Sequence, residues 1–152
     1  MKKGMLWIYN RNLLDADGIY VVKDPEAIGI GKQLYSFRRM FKSGREISGV
    51  VFSRDESVRF APEGTYMEGE HTPESLALDG FMIASFGKDG AEKLGEVAYE
   101  FKNKPVIKLL KFSGKNRQRV SAIYTTYGKD RLIIDGSQLG DSGNGYSWGL
   151  MK

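Results

Sequence analysis

The stretch 89-DGAEKLGEVAYEFKNKPVIKLLKFSGKNRQRVSAIYTTYGKDRLIID-135 decides the fold, because within it a one-sided helix hands over to three punctuated strands. Ala91, Leu94, Val97, Ala98 and Phe101 recur at steps of three and four, which places them on one helical stripe. Asp89 can cap the first turn by accepting an unpaired backbone N–H while Glu92, three residues on, reaches back. Lys102 and Lys104 suit the negative end of the helix dipole, and Pro105 forbids continuation. Residues 106–112 are apolar on both faces, as in a strand covered on both sides. Ser113, Gly114, Lys115 and Asn116 make a turn, 119–127 is rich in β-branched and aromatic residues, and after Gly128, Lys129 and Asp130 the chain returns as 131–134. The three strands read as an antiparallel meander.

Outward from this stretch, toward the N-terminus, 5–9 reads as a short edge strand holding Trp7, followed by a polar loop through Asn10, Asp15 and Asp17. A second strand occupies 18–23. Asp24-Pro25-Glu26 is a strong helix start, and Ala27, Ile30, Leu34, Phe37 and Phe41 lie on one stripe of the helix that follows, up to Ser43-Gly44. Residues 47–53 and 57–60 predict a hairpin around Arg54, Asp55 and Glu56. An acidic loop over 63–74 holds the only histidine, His71. Residues 76–86 are apolar but interrupted by Asp79-Gly80, which predicts two short strands with a tight turn between them.

Asp17-Gly18 precedes a strand and then a helix, and Asp79-Gly80 does the same in this reading, with two strands after each helix. The echo describes a duplicated β-α-β-β unit. The fold expected is α+β, a mostly antiparallel sheet with two main helices packed on it, in a single globular domain over 1–136. Residues 137–152 form a Gly-rich tail around Tyr146 and Trp148, flexible alone or docking through its aromatics.

The composition supports a folded domain: 152 residues, 41% hydrophobic and 28% charged, bury about two-thirds of the unfolded surface. The 19 glycines favour strands and turns over a helical bundle. With no cysteine, thiolate catalysis, disulfides and cysteine-held metals are excluded. The apolar run after the basic start breaks at Asn10-Arg11, too early for a signal peptide or membrane helix, so a cytoplasmic, soluble protein is expected. Net charge is +4 but unevenly spread, at +5 over 1–54, −8 over 55–100 and +8 over 101–131.

The basic segments suggest a partner. Lys108, Lys111, Lys115, Arg117 and Arg119 crowd the hairpin near Phe112, Tyr124 and Tyr127, and a basic ribbon with aromatics can follow a phosphate backbone. The outward helix face Lys32, Tyr35, Arg39 and Lys42 could extend it. The plainer explanation is that the charges guard a sheet edge. Gly29, Gly31 and Lys32 stand where a helix start could hold a phosphate, yet neither the P-loop nor the dinucleotide fingerprint is complete. His71 with Glu68, Glu70, Glu74 and Asp79 reads as a solvated loop, and neither Ser113 nor Ser142 sits in a nucleophile elbow. No catalytic residue, metal or cofactor is assigned, and the balance leans away from an enzyme. The expectation is a non-catalytic binding or regulatory module for an anionic partner, nucleic acid above all. A protein–protein adaptor or assembly subunit, docking or self-associating by a sheet edge or the tail, is the first alternative. A small phosphate- or nucleotide-binding enzyme using 29–32 is the second.

Overall fold

A computed structural model describes residues 6–23, 44–109, 119–126 and 130–139. Among the described residues there are nine strands: β1 (Leu6–Asp15), β2 (Gly18–Val22), β3 (Arg45–Ile47), β4 (Val50–Phe52), β5 (Val58–Pro62), β6 (Gly69–Glu70), β7 (Val106–Lys108), β8 (Arg119–Thr125) and β9 (Leu132–Leu139). They form one sheet in the order β3-β4-β5-β2-β1-β8-β9-β7-β6. Two helices, α1 (Pro73–Leu78) and α2 (Gly80–Ala98), pack on it, so the α+β class with a mostly antiparallel sheet holds. Only β7 and β9 run parallel.

Three expectations are corrected. The first concerns 76–86, which is helix. Thr72 and Ser75 make a capping box, Pro73 sits in the first turn of α1, and the Asp79 carboxylate accepts the N–H groups of Phe81 and Met82 to start α2. Phe81, Met82, Ile83 and Ala84 are all buried, so this half of α2 shows no polar face and its apolar run resembles a covered strand. The echo of a β-α-β-β unit therefore fails at the opening strand of its second copy. The helix expected over 24–42 lies outside the described residues.

The second correction is β1, which is ten residues long and lies between β2 and β8 rather than at an edge. Its two asparagines are buried, and their side-chain amides find acceptors. Asn12 Nδ2 donates to Ser121 Oγ at 2.9 Å and to the Gly136 carbonyl at 3.1 Å, and Asn10 Nδ2 donates to the Ser85 carbonyl at 3.1 Å. A polar residue that finds such partners is no obstacle to a central strand.

The third is the strand order of the C-terminal part. β8 and β9 pair antiparallel as expected, but β9 lies between β8 and β7, with Val106 opposite Ile133 in the parallel pair. The chain from Lys108 to Arg119 thus crosses between non-adjacent strands instead of closing a hairpin. In the other half, Ser48 (φ 51°) and Gly49 (φ 88°) make a tight turn with positive φ at both central positions, which splits the expected strand 47–53 into β3 and β4.

Alternation sets the two faces of the sheet. Ile19, Val21, Val50, Phe52, Ala61 and Ile134 face the helices and pack with Leu76, Phe81, Met82, Ile83 and Ala91. Each of the larger of these side chains contributes about 1.5–3 kcal/mol by leaving water. Tyr20, Val22, Val58 and Ala122 point to the other face and are also buried, and the rings of Tyr20 and Phe60 meet there at 4.5 Å. The stripe expected on the second half of α2 is present in buried Ala91 and Ala98 and in Leu94, whereas Val97 is exposed. The Tyr99 hydroxyl donates to Glu74, tying the end of α2 back to α1.

Candidate anion-binding corner

Most of the residues named from sequence fall outside the described structure. Gly29, Gly31, Lys32, Tyr35, Arg39 and Lys42 lie in 24–43, and Lys111, Lys115 and Arg117 lie in 110–118. Lys108 ends β7 and is exposed, and Arg119 opens β8 with its backbone in register with Asn12 and Leu139. β7 is flanked by β9 and β6, so these residues do not guard a free edge along it.

A cationic corner that sequence reasoning missed sits where 24–43 leaves and rejoins the sheet. Lys23 follows β2 and its backbone N–H donates to the Ser57 carbonyl at 2.8 Å. Arg59, on β5, stands beside Phe52, with its guanidinium carbon 4.9 Å from the ring centroid, while Arg45 on β3 reaches the same ring at 5.9 Å. These are cation–π distances. The connecting turn is rigidly built: the Asp55 carboxylate accepts from Ser57 N–H at 3.0 Å, Ser57 Oγ at 2.7 Å and Ser53 Oγ at 3.0 Å. The Ser57 hydroxyl first, and its N–H second, hold that carboxyl below the usual range. Glu56, at φ 63°, pairs with Arg45 through its carboxylate and takes Arg59 Nε on its carbonyl at 2.7 Å.

Arg59 has a second task. Gly87 (φ 80°, ψ 167°) breaks α2, because only a residue without a side chain takes that backbone readily. The break leaves the last carbonyls of the first half without helical partners, and Arg59 Nη1 donates to Ala84 O at 2.7 Å while Asn10 covers Ser85 O. A guanidinium at a helix C-terminus also complements the dipole. Burial lowers the Arg59 pKa, with Glu56 opposing. Burial lowers the Lys23 pKa as well, with the Arg59 charge adding to the effect. Lys23, Arg45 and Arg59 share this end of the sheet with the carboxylates of Asp55 and Glu56, the latter paired with Arg45.

At the far ends of β2 and β5 the chemistry is reversed. A cavity of about 620 Å³ is walled by Leu14, Met67 and Leu109 and rimmed by Asp15, Glu63 and Glu68. Glu63 accepts the Tyr66 hydroxyl at 2.9 Å and Glu68 accepts the Leu109 N–H at 3.3 Å. Burial first, then Glu63, raises the Tyr66 pKa.

Beside this cavity His71 is 4% exposed, which overturns its reading as part of a solvated loop. Its Nε2 lies 2.7 Å from the Met67 carbonyl and 3.6 Å from Asp79 Oδ2, and Nδ1 lies 2.9 Å from Ser75 Oγ. Asp79 accepts the N–H groups of Phe81, Met82 and Met67. Burial raises the Asp79 pKa against these hydrogen bonds and His71. Ser75 has the partner a nucleophile needs, but its hydroxyl is committed to the α1 capping box with Thr72. The cluster is a knot tying the 63–70 connection to both helix starts. Among the described residues no three His, Asp or Glu side chains are grouped to hold a metal ion, and no helix is long and apolar enough to cross a membrane.

No protein-family model, curated protein or solved structure matches this chain.

Proposed function

We propose that this chain is a non-catalytic binding module for an anionic partner, nucleic acid above all. The observation that carries the reading is the cationic corner of Lys23, Arg45 and Arg59, whose charge exceeds that of its own carboxylates. The segment bearing Lys32, Tyr35, Arg39 and Lys42 leaves the sheet directly after Lys23 and rejoins it one residue before Arg45. Its basic residues are thereby tethered to further cations at both ends. The second basic segment, 110–118, rejoins at β8, next to β1 on the side opposite β2, and Val22, Arg11 and Val120 stand in one row across the three strands. Two strand spacings, about 10 Å, separate Val22 from Val120, beside one root of each segment, whereas the other root of 110–118 is Leu109, in the wall of the acidic cavity.

The adaptor alternative draws on the outermost strands β3 and β6. β3 exposes Arg45 and Glu46, charges of the kind that protect an edge, and β6 is two residues long, so the charged corner is the better-supported surface. The nucleotide-binding alternative rests on 29–32, outside the described residues.

Titrating a labelled single-stranded oligonucleotide at several salt concentrations tests the reading. Affinity should fall linearly on a log–log plot against salt, and Lys115→Glu with Arg117→Glu should weaken it severely. Affinity indifferent to salt, or no binding at low salt, contradicts the proposal.

A further inference from the structure

We propose that the acid-rimmed cavity at the far ends of β2 and β5 seats the segment 140–152 of this same chain, with Trp148 as the side chain that enters it. The inference stands apart from the anionic-partner reading and rests on other residues.

Strand direction delivers the segment to the cavity. β1 and β9 both run antiparallel to β8 and therefore point the same way, and β7 runs parallel to β9. β1 ends in Leu14 and Asp15, and β7 ends just before Leu109, all three of them lining residues. Gly136 of β9 lies against Leu109, where an added Cβ would come within 3.1 Å of its Cδ2. β9 ends at Leu139, in one row with Arg119 and Asn12, so two strand spacings and two residues along β1, about 12 Å in all, separate it from Leu14. Trp148 follows Leu139 by nine residues, which span up to about 30 Å when extended. The reach exceeds the need, and the slack allows the turn back.

The chemistry of the two parts is complementary. Leu14, Met67 and Leu109 wall the cavity, and Met67 is 57% exposed, so apolar surface remains there to be covered. A volume of about 620 Å³ suits an aromatic ring, because ligand pockets run from about 300 to 1,000 Å³. The ionised carboxylates of Asp15, Glu63 and Glu68 at the rim only accept hydrogen bonds. A fitting occupant therefore has an apolar body and donors at its edge. Residues 140–152 carry that combination in the Trp148 indole N–H, the Tyr146 hydroxyl and the Lys152 ammonium, with Leu150 and Met151 as further apolar cover. A phosphate backbone brings only acceptors and negative charge, and the rim repels it.

The chain holds no cysteine, so a bimane label can be placed on one introduced thiol of the full chain. Ala16→Cys puts the label at an exposed position on the edge of the cavity, where a tryptophan in contact quenches it. Trp148→Phe should brighten the label severalfold. Met67→Asp, which sets a charge in the apolar wall at an exposed position, should brighten it as much, and the uncharged Met67→Ser should do so in part. Trp7, near the opposite end of β1, is the other tryptophan and is the same in every variant. Brightness unchanged by Trp148→Phe overturns the seat and leaves the cavity to a partner. Quenching that Trp148→Phe relieves and neither Met67 variant does overturns it as well, since the ring then rests outside the apolar wall.

Discussion

The first half of α2 has a buried charged residue at each end, and the surroundings treat the two differently. At its start, Asp79 accepts three backbone N–H groups and has His71 3.6 Å away, so its charge is spent inside a closed knot. At its end, Arg59 donates to Ala84 O but shares its corner with Lys23 and Arg45, so positive charge is left over. Both residues complement the helix dipole. The difference teaches that a buried ion by itself marks structure, whereas surplus charge around it marks a surface able to take a partner.

The largest expected effect is on the closed end. Asp79→Ala removes the cap of α2 and orphans the Met67 N–H, and should cost about 3 kcal/mol in urea denaturation, with Asp79→Asn costing clearly less. A loss as small as that of an exposed substitution would show that the knot does not hold the helix start. Arg59→Met leaves Ala84 O unpaired and removes the cation over Phe52, for an expected loss of about 2 kcal/mol. Asn10→Ala, which uncovers Ser85 O alone, should cost about 1 kcal/mol. If these two fall in the reverse order, the break at Gly87 is not supported from Arg59.

The smallest effects are in the pH dependence, and they have opposite signs at the two ends. Asp55 has its pKa lowered by folding, so its contribution is present above the ordinary Asp value near 4 and is lost as pH falls through the lower folded value. Asp79 has its pKa raised, so its contribution is present below that ordinary value and is lost as pH rises through the higher folded one. Measured against the wild type, Asp55→Asn should therefore destabilise at neutral pH and converge on it in acid. Asp79→Asn should compare more favourably with the wild type as pH rises from acid. Parallel pH profiles for the two variants would erase the distinction drawn between the ends.

Much of the fold was legible from local patterns. The stripe of Ala91, Leu94 and Ala98 marked the second half of α2, the β-branched and aromatic content of 119–127 marked β8, and the strands expected over 18–23 and 57–60 are β2 and β5. The first half of α2 was illegible because Phe81 to Ala84 are covered on every side, which erases the helical period. β1 was cut short because Asn10 and Asn12 look like loop residues until Ser85, Ser121 and Gly136 supply their partners. The position of β9 between β7 and β8 is a non-local pairing, and neighbouring sequence favours the simpler meander.

The corner itself was missed because Lys23, Arg45 and Arg59 are scattered over 37 positions and come to one end of the sheet only through the pairing of β2, β5, β4 and β3. One signal was present. Arg59 stands inside the short apolar strand 58–62, on the face that Ala61 turns to the core, and a charge there requires a buried partner.

The most direct test compares the two ends for binding. Salt-dependent oligonucleotide titrations would be run on the wild type, on Lys23→Glu with Arg45→Glu at the cationic corner, and on Asp15→Asn at the acidic end. The wild type should bind with affinity falling steeply as salt rises, the double reversal should lose at least about tenfold and show a shallower salt slope, and Asp15→Asn should bind as the wild type does. Equal affinity and equal salt slope in the double reversal and the wild type would contradict the assignment of the cationic corner as the partner-binding surface.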